Sequence, residues 1–375
     1  MSLRVEVRRV RVPFRAPFET AAGTWAARES WLLRVAHEDG RRGWGEAVLE
    51  AEEDVTVLEA LFDELAAAGL PPSQALVGRA GAAGRAFRAA LDGARLDLLA
   101  QGPEARAAGL PVVGVNATIG AGETGAAVEA AYAAVTRGFR TLKLKAGAPD
   151  TTASLVERLF AVRAAVGDAV ALRLDVNGTW DLDLAAERLR ALAGVGLQYV
   201  EQPLDPAAPG DAAALRARCG VPVAADEAVT SAAAARAILD AGAADVLVVK
   251  PGRVGGPVVV AEIALLAAGR GVPVVVSSLF ETGVGLAVAL ACAAALPDVP
   301  GWPAAARDHG LATADLLEDD LLVAGFLVDG GRMRAPGGPG NGGFGVAVDE
   351  AAVARYGVDV PGAGGAAGPD GARGA

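Results

Sequence analysis

Seven apolar segments, each led by a glycine, recur through the middle of the chain: GLPVVGVN (109–116), GFRTLKLK (138–145), GDAVALRLDVN (167–177), GLQYVEQP (196–203), GVPVAADE (220–227), GAADVLVVKP (242–251) and GVPVVVSS (271–278). The leading glycines stand 22 to 29 residues apart. Helical stretches lie between them, such as Asp181 to Ala193, with an aspartate at the N-cap position and Gly194 past the end. Strands alternating with helices at this period require βα units and a parallel sheet. Seven units in a row exceed what most open sheets use, so the expected fold is α/β, a closed (β/α)8 TIM-type barrel. A doubly wound sheet is the competing reading. Against it, no GxGxxG follows the first strand of the repeat.

The first hundred residues have a different texture. Val5 to Val12 alternates apolar and charged residues, as an edge strand would. Ser30 to Ala36 and Trp44 to Val48 read as two further strands, Asp54 to Ala68 and Ala82 to Ala100 as helices. Strands then helices, unmixed, predict a small α+β unit over 1–108, with the barrel over 109–310. Past Leu296 the pattern loosens. Residues 309–329 are expected to add a last barrel unit or to return to the N-terminal unit, within a closing region 311–360. Residues 361–375, PGAGGAAGPDGARGA, cannot bury a core and read as a disordered tail.

Composition narrows the function. The 375 residues are 53% hydrophobic and carry a formal net charge of −11, which argues against a nucleic-acid partner. The two cysteines, Cys219 and Cys292, form no CxxC and predict neither a disulfide framework nor a zinc knuckle. Two histidines, His37 and His309, leave a histidine-based mechanism poorly supplied. The N-terminus shows no signal-peptide pattern, and no apolar run of about 18 residues suggests a membrane span. A cytoplasmic protein without a membrane partner is the expectation.

Each repeat strand begins apolar and ends polar. The second ends in Lys143 and Lys145, the third in Asp175 and Asn177, the fourth in Glu201 and Gln202. The fifth ends in Asp226 and Glu227, the sixth in Lys250, the seventh in Ser277 and Ser278, with Glu281 just beyond. In a (β/α) barrel the C-terminal strand ends form the active-site face. Asp175, Glu201 and Asp226 gathered in one low-dielectric mouth would repel unless a cation held them. All three offer oxygen only, so the expected metal is Mg²⁺, with Mn²⁺ as substitute. Lys143 and Lys145, two apart on one strand, point to the same side. Lys250 approaches from another wall. A lysine beside a divalent cation and another ammonium is expected to have a lowered pKa and to act as a base. The substrate this suggests is a small-molecule carboxylate that loses its α-proton.

The motifs TLKLK, LRLDVNGTW, YVEQPL, VAADEA and VVKPGRVGG, in this order, together with GWGEA near the N-terminus, resemble the muconate-lactonizing branch of the enolase superfamily. The resemblance implies an N-terminal α+β capping domain over a modified (β/α)8 barrel of (β/α)7β form. It implies Mg²⁺ on Asp175, Glu201 and Asp226, Lys145 as general base, Lys143 beside it and Lys250 across the site. The segment VVVSSLFETGVG is similar to o-succinylbenzoate synthases, as is HGLATADLLEDDL. Those enzymes perform a syn dehydration that supplies menaquinone biosynthesis. On that likeness Asn177, Ser277, Ser278 and Glu281 are expected to meet the substrate. N-succinylamino acid racemase, muconate cycloisomerase and dipeptide epimerase are the alternatives within the branch. Dipeptide epimerases usually carry Asp-x-Asp at strand eight, where this chain reads Asp308-His309-Gly310. A Schiff-base aldolase built on Lys250, or a non-catalytic binding barrel, would leave the three carboxylates unexplained.

Phe14 to Trp25, FRAPFETAAGTW, reads as a loop between two strands, long enough to serve as a lid. Phe18, Thr20 and Trp25 are its candidate substrate contacts. A homo-oligomer is among the expected assemblies.

Overall fold

The computed structural model describes residues 3–20, 23–50, 54–68, 81–101, 110–146, 150–337 and 342–358. The tail expected over 361–375 lies outside them.

The N-terminal unit is a three-stranded antiparallel sheet, β1 (Leu3–Thr20), β2 (Gly23–His37) and β3 (Arg42–Ala47), in that order. Two helices, α1 (Val55–Ala68) and α2 (Gly81–Leu99), cover it. Helix α2 buries Ala83, Ala86, Phe87, Ala90, Leu91, Ala94 and Leu98, a stripe at helical spacing against the sheet. Its small residues let it lie close to β3. A Cβ on Gly43 would stand 2.0 Å from the Ala94 carbonyl oxygen, and one on Gly45 would stand 1.9 Å from that of Ala90. Only glycine fits at either position.

The segment expected as a lid loop over 14–25 belongs, in its described residues 14–20 and 23–25, to strands β1 and β2 instead. Pairing slips between Pro13 and Phe18 and then resumes, with Phe18 opposite Trp25 and Thr20 opposite Gly23. Proline and glycine mark the slip and the tip of a long hairpin, not an irregular loop.

The barrel strands are β5 (Ala117–Ile119), β6 (Thr141–Lys145), β7 (Ala171–Asp175), β8 (Leu197–Glu201), β9 (Val223–Ala225), β10 (Val246–Val249) and β11 (Val274–Val276). They form one parallel seven-stranded sheet in chain order. The first repeat segment divides. Its core, β4 (Val112–Val115), belongs to a separate four-stranded sheet, and β5 begins the barrel sheet. Closure runs through β12 (Asp308–His309). Gly310 bridges to Ser277 past the end of β11, while Asp308 and His309 pair in parallel with Gly114 and Val115 of β4. Helices α3 (Thr124–Thr136), α4 (Thr152–Val166), α5 (Leu182–Ala191), α6 (Pro209–Arg218) and α7 (Ala232–Asp240) follow β5 to β9. Helices α8 (Pro251–Val254) and α9 (Pro257–Ala268) follow β10, and α10 (Gly283–Ala294) follows β11. Only a short 3-10 turn, Ala314–Leu316, follows β12, in place of an α-helix. The result is a modified (β/α)8 barrel under an α+β cap.

A hairpin, β13 (Leu327–Asp329) and β14 (Arg332–Arg334), joins β4. The chain then returns to the cap through α11 (Glu350–Arg355), where the Arg11 N–H donates to the Tyr356 carbonyl at 2.9 Å. No helix among the described residues is long and apolar enough to cross a membrane.

Candidate active site

Strand register assembles the first wall of the mouth. Lys145 pairs with Asp175, and Asp175 with Glu201, so three strand ends share one row. Lys145 Nζ donates to Asp175 Oδ2 at 2.6 Å and to Asn177 Oδ1 at 2.9 Å. Lys143, two residues earlier on the same face, places Nζ 3.0 Å from both Asp175 Oδ2 and Glu201 Oε1. Asn177 holds a left-handed backbone (φ 50°), which asparagine tolerates, and its amide donates to Glu227 Oε1 at 2.9 Å.

Asp226, just past β9, begins the second wall. Lys250 Nζ donates to its Oδ2 at 2.7 Å and Arg253 Nη1 to its Oδ1 at 2.8 Å. Gln202 fixes the turn: its Oε1 accepts from the Asp226 N–H at 3.0 Å, while its Nε2 donates to the Leu204 carbonyl at 2.8 Å. Arg253 then reaches the cap, with Nε and Nη2 donating to Glu50 at 2.9 and 2.6 Å.

The electrostatics follow from this packing. Burial opposes ionisation of Asp175, but Lys143 and Lys145 outweigh it and hold the carboxyl below its usual range. Lys250 and Arg253 do the same for Asp226. Glu201 goes the other way: burial, reinforced by Asp175 and Asp226, outweighs Lys143 and pushes it up to about 7. The expected lowering of a lysine pKa needs a bound cation; with the carboxylates bare, the balance at Lys143 is different. Burial disfavours its charge, yet Asp175, Glu201 and Asp226 together hold it well above the ordinary value.

The end of the seventh strand is tied into its own loop. Ser278 Oγ donates to Glu281 Oε2 at 2.6 Å and accepts from the Phe280 N–H at 2.7 Å. Glu281 Oε2 also accepts from the Leu279 N–H at 2.7 Å, and burial pushes this carboxyl up. Ser277 Oγ lies 3.4 Å from the Gly310 carbonyl at the closure. These three residues thus shape the rim through contacts with one another and the backbone. Phe280, in a left-handed conformation (φ 63°), is edge-on to Phe14 at 6.2 Å and to Trp25 at 6.4 Å. That brings the half-buried Trp25 to the rim. For Phe18 and Thr20 only the backbone pairing is described; their side chains lie outside the described residues.

Sequence reasoning left Arg253, Gln202 and Glu50 without roles, although Arg253 stands inside the VVKPGRVGG motif. A cation three residues past a strand-end lysine, at a βα junction, was the available signal. Glu46 of GWGEA was also missed. Its carboxylate accepts from the Thr282 N–H at 3.0 Å, Thr282 Oγ1 at 2.7 Å and the Gly285 N–H at 2.8 Å, so the cap supplies acceptors at the N-terminus of α10.

Three buried, oxygen-only carboxylates at neighbouring strand ends are the donor chemistry of a hard divalent cation. Among the described residues, however, no three Asp, Glu, His or Cys side chains are drawn close enough to hold one. Lysine ammonium groups neutralise the carboxylates instead. The donor types fit Mg²⁺, provided those ammonium groups give way.

Residues 126–352 match the enolase C-terminal domain-like family model, and residues 2–114 match the mandelate racemase / muconate lactonizing enzyme N-terminal domain. The chain belongs to the enolase superfamily. Within it, the protein falls in the muconate-lactonizing branch. It is 43% identical over 201 residues to the o-succinylbenzoate synthase of Thermobifida fusca (strain YX), a match covering 53% of this chain and 62% of that enzyme. The chain thus spans less than two thirds of that relative's length. It is 30% identical over 379 residues to the L-Ala-D/L-Glu epimerase of Bacillus subtilis (strain 168), covering 92% of this chain and 97% of the epimerase. The substrate-liganded structure of the B. subtilis enzyme superimposes with a TM-score of 0.79 at 26% identity, over 93% of this chain and 99% of that one. Muconate lactonizing enzyme from Pseudomonas putida, 23% identical with a TM-score of 0.79 over 95% and 99% of the two chains, shares the fold.

Proposed function

We propose that this superfamily member is a Mg²⁺-dependent lyase that removes the α-proton of a carboxylate substrate, acting as an o-succinylbenzoate synthase in menaquinone biosynthesis. The observation that carries the chemistry is the placing of the lysines. Lys145 ends β6 and Lys250 follows β10; three strands, β7 to β9, separate them on one side of an eight-strand ring. The lysines therefore address opposite faces of a substrate held between them.

Asp175, Glu201 and Asp226 would hold Mg²⁺, which when bound would supply positive charge for the developing enolate oxygens. The ammonium groups now resting on those carboxylates would be freed toward the substrate. Lys145 takes the α-proton as the neutral amine and returns it to the departing hydroxide, since a syn elimination needs a single acid/base on one face. Asn177 orients Lys145. Lys143 keeps its proton and contributes charge. Lys250 stabilises the intermediate from the other side without transferring a proton.

The opposed lysines, with the near full-length similarity to an epimerase, also favour a second reading, racemisation of an N-succinylamino acid. Dipeptide epimerisation is the weaker form of it. Asp308 accepts from Thr141 Oγ1 at 2.6 Å, and His309 Nδ1 accepts from the Val276 N–H at 3.0 Å, so strand eight is committed to closing the barrel. Assay of the purified protein with Mg²⁺ on the synthase substrate and on N-succinylamino acids separates the readings. Dehydration abolished by chelation and restored by Mg²⁺ is expected. No dehydration, with rapid α-deuterium incorporation into both enantiomers, would overturn the synthase and leave the racemase.

A further inference from the structure

Lys145 Nζ has two side-chain partners, Asp175 Oδ2 at 2.6 Å and Asn177 Oδ1 at 2.9 Å. Asp175 is a proposed metal ligand, and an oxygen given to a cation is no longer free to hold an ammonium. Asn177 is then the partner that stays. An asparagine amide has two ends, however, and half a turn about its last bond would present NH₂ to Lys145 in place of oxygen. That group would repel an ammonium. It would donate to the lone pair of a neutral amine and so occupy the atom that must take the proton.

Glu227 sets which end faces the base. Asn177 Nδ2 donates to Glu227 Oε1 at 2.9 Å. A carboxylate only accepts and an ammonium only donates, so one orientation of the amide satisfies both neighbours. Among the described residues this is the single hydrogen bond of the Glu227 side chain; Oε2 is shut off from solvent without a partner. An unmatched buried oxygen lowers stability, so the carboxylate is not explained as a structural tie.

Gln202, just past β8, frames both residues. Its carbonyl accepts from the Gly178 N–H at 2.7 Å, next to Asn177. Its Oε1 accepts from the N–H groups of Asp226 and Ala228, at 3.0 and 3.3 Å, on either side of Glu227. Asn177 and Gln202 both hold left-handed backbones, φ 50° and 38°, two of four such non-glycine residues among those described. Backbone strain of this kind collects at functional sites.

We propose that Glu227 is a positioning residue for the general base: through Asn177 it turns an acceptor toward Lys145 and keeps the amine in place when Asp175 is given to the metal. This deepens the proton-abstraction reading above and rests on it for the role of Lys145.

The test compares Glu227→Met, which keeps the side chain's length and removes the acceptor, with Glu227→Gln, whose Oε1 can still accept. α-Proton exchange in deuterated solvent is measured on both enantiomers of N-succinylphenylalanine. The enantiomer served by Lys145 is the one whose exchange survives Lys250→Arg. For it, Glu227→Met should lower kcat about 10- to 100-fold, as loss of a hydrogen bond in a charged chain would. KM, and the Mg²⁺ dissociation constant from calorimetry, should stay within about threefold of wild type. Glu227→Gln should restore most of the rate. A readout apart from activity is the NMR signal of the Asn177 carboxamide, assigned by its absence in Asn177→Gly, which suits the left-handed backbone. In the Mg²⁺-loaded wild type and in Glu227→Gln its protons should be shifted downfield and protected from solvent exchange; in Glu227→Met they should not. Equal damage by both substitutions overturns the proposal, and so does an unprotected amide in the wild type. A Glu227→Met protein that binds Mg²⁺ much more weakly also overturns it, because a glutamate that merely supports Asp226 would act that way. If the amide signals behave as expected and the wild type exchanges no α-proton, the hold of Glu227 on Asn177 stands and the proton-abstraction reading falls.

Discussion

Lys145 and Lys250 each rest on one aspartate, at 2.6 and 2.7 Å, yet the two aspartates are anchored by different means. Asp175 ends a strand paired on both sides, so β6 and β8 fix its position. Asp226 stands beyond β9 and depends on Gln202 behind it and Arg253 beside it, and Arg253 is itself held by Glu50 of the cap. The Lys145 side chain keeps 26% of its surface exposed, against 12% for Lys250. One wall is therefore set by barrel register alone and the other by the docking of two domains. The proposed proton carrier, Lys145, stands on the first wall, where strand pairing fixes the aspartate it rests on.

Substitution at Lys145 tests this most directly. Lys145→Ala should lose about 10²–10⁴-fold in α-proton exchange, the contribution of a positioned acid/base. Activity within tenfold of wild type would erase the difference between the walls. Lys250→Arg keeps the positive charge but cannot act as a base. A synthase so altered should retain measurable dehydration, whereas a racemase should lose racemisation and still exchange one enantiomer through Lys145. Steady-state dehydration, read beside deuterium incorporation, shows which applies.

The two walls are joined on the far side at β11, β12 and β4, where His309 is buried. Burial, with Arg173 and Arg307 nearby, pushes its pKa from 6.5 down to about 3. The unfolded chain binds this proton at higher pH than the folded protein does. Stability from the neutral imidazole is therefore full above about pH 6.5 and lost as pH falls toward 3, in total on the order of 5 kcal/mol. Urea melts across that window should show the slope, and His309→Asn, which keeps an acceptor for the Val276 N–H, should flatten it. An unchanged slope in the variant would place acid sensitivity elsewhere. The smallest effect is expected at Glu50. Glu50→Gln weakens the fork on Arg253 and should cost about 1–3 kcal/mol in thermal unfolding. It should also disturb reactions that need Lys250 more than exchange through Lys145. Equal losses in both would mean that the cap supports the two walls alike.

The first wall was legible in the sequence because period-2 alternation and parallel register are local rules. Lys143, Lys145, Asp175 and Glu201 could be placed at one mouth from their strand-end positions alone. The second wall was half legible. Asp226 and Lys250 end repeat segments, but the partners that position them, Glu50 and Arg253, lie 203 residues apart, and no periodicity links them. Pro17 and Gly23 suggested a loop where β1 and β2 resume their pairing from Phe18, because a register slip carries the same residue types as a turn.

Gly45 and Glu46 are neighbours on β3 with opposite duties: the glycine lets α2 lie against the strand, and the glutamate holds the start of α10. A side chain added at Gly45 would lift the strand from its helix and draw Glu46 away from Thr282, the residue that follows the Ser278–Glu281 rim. The rim can thus be adjusted from a position that never meets a substrate. In evolutionary terms this is a tuning screw away from the barrel mouth: drift in α2–β3 packing could shift substrate choice among descendants while the strand-end lysines and carboxylates stay as they are.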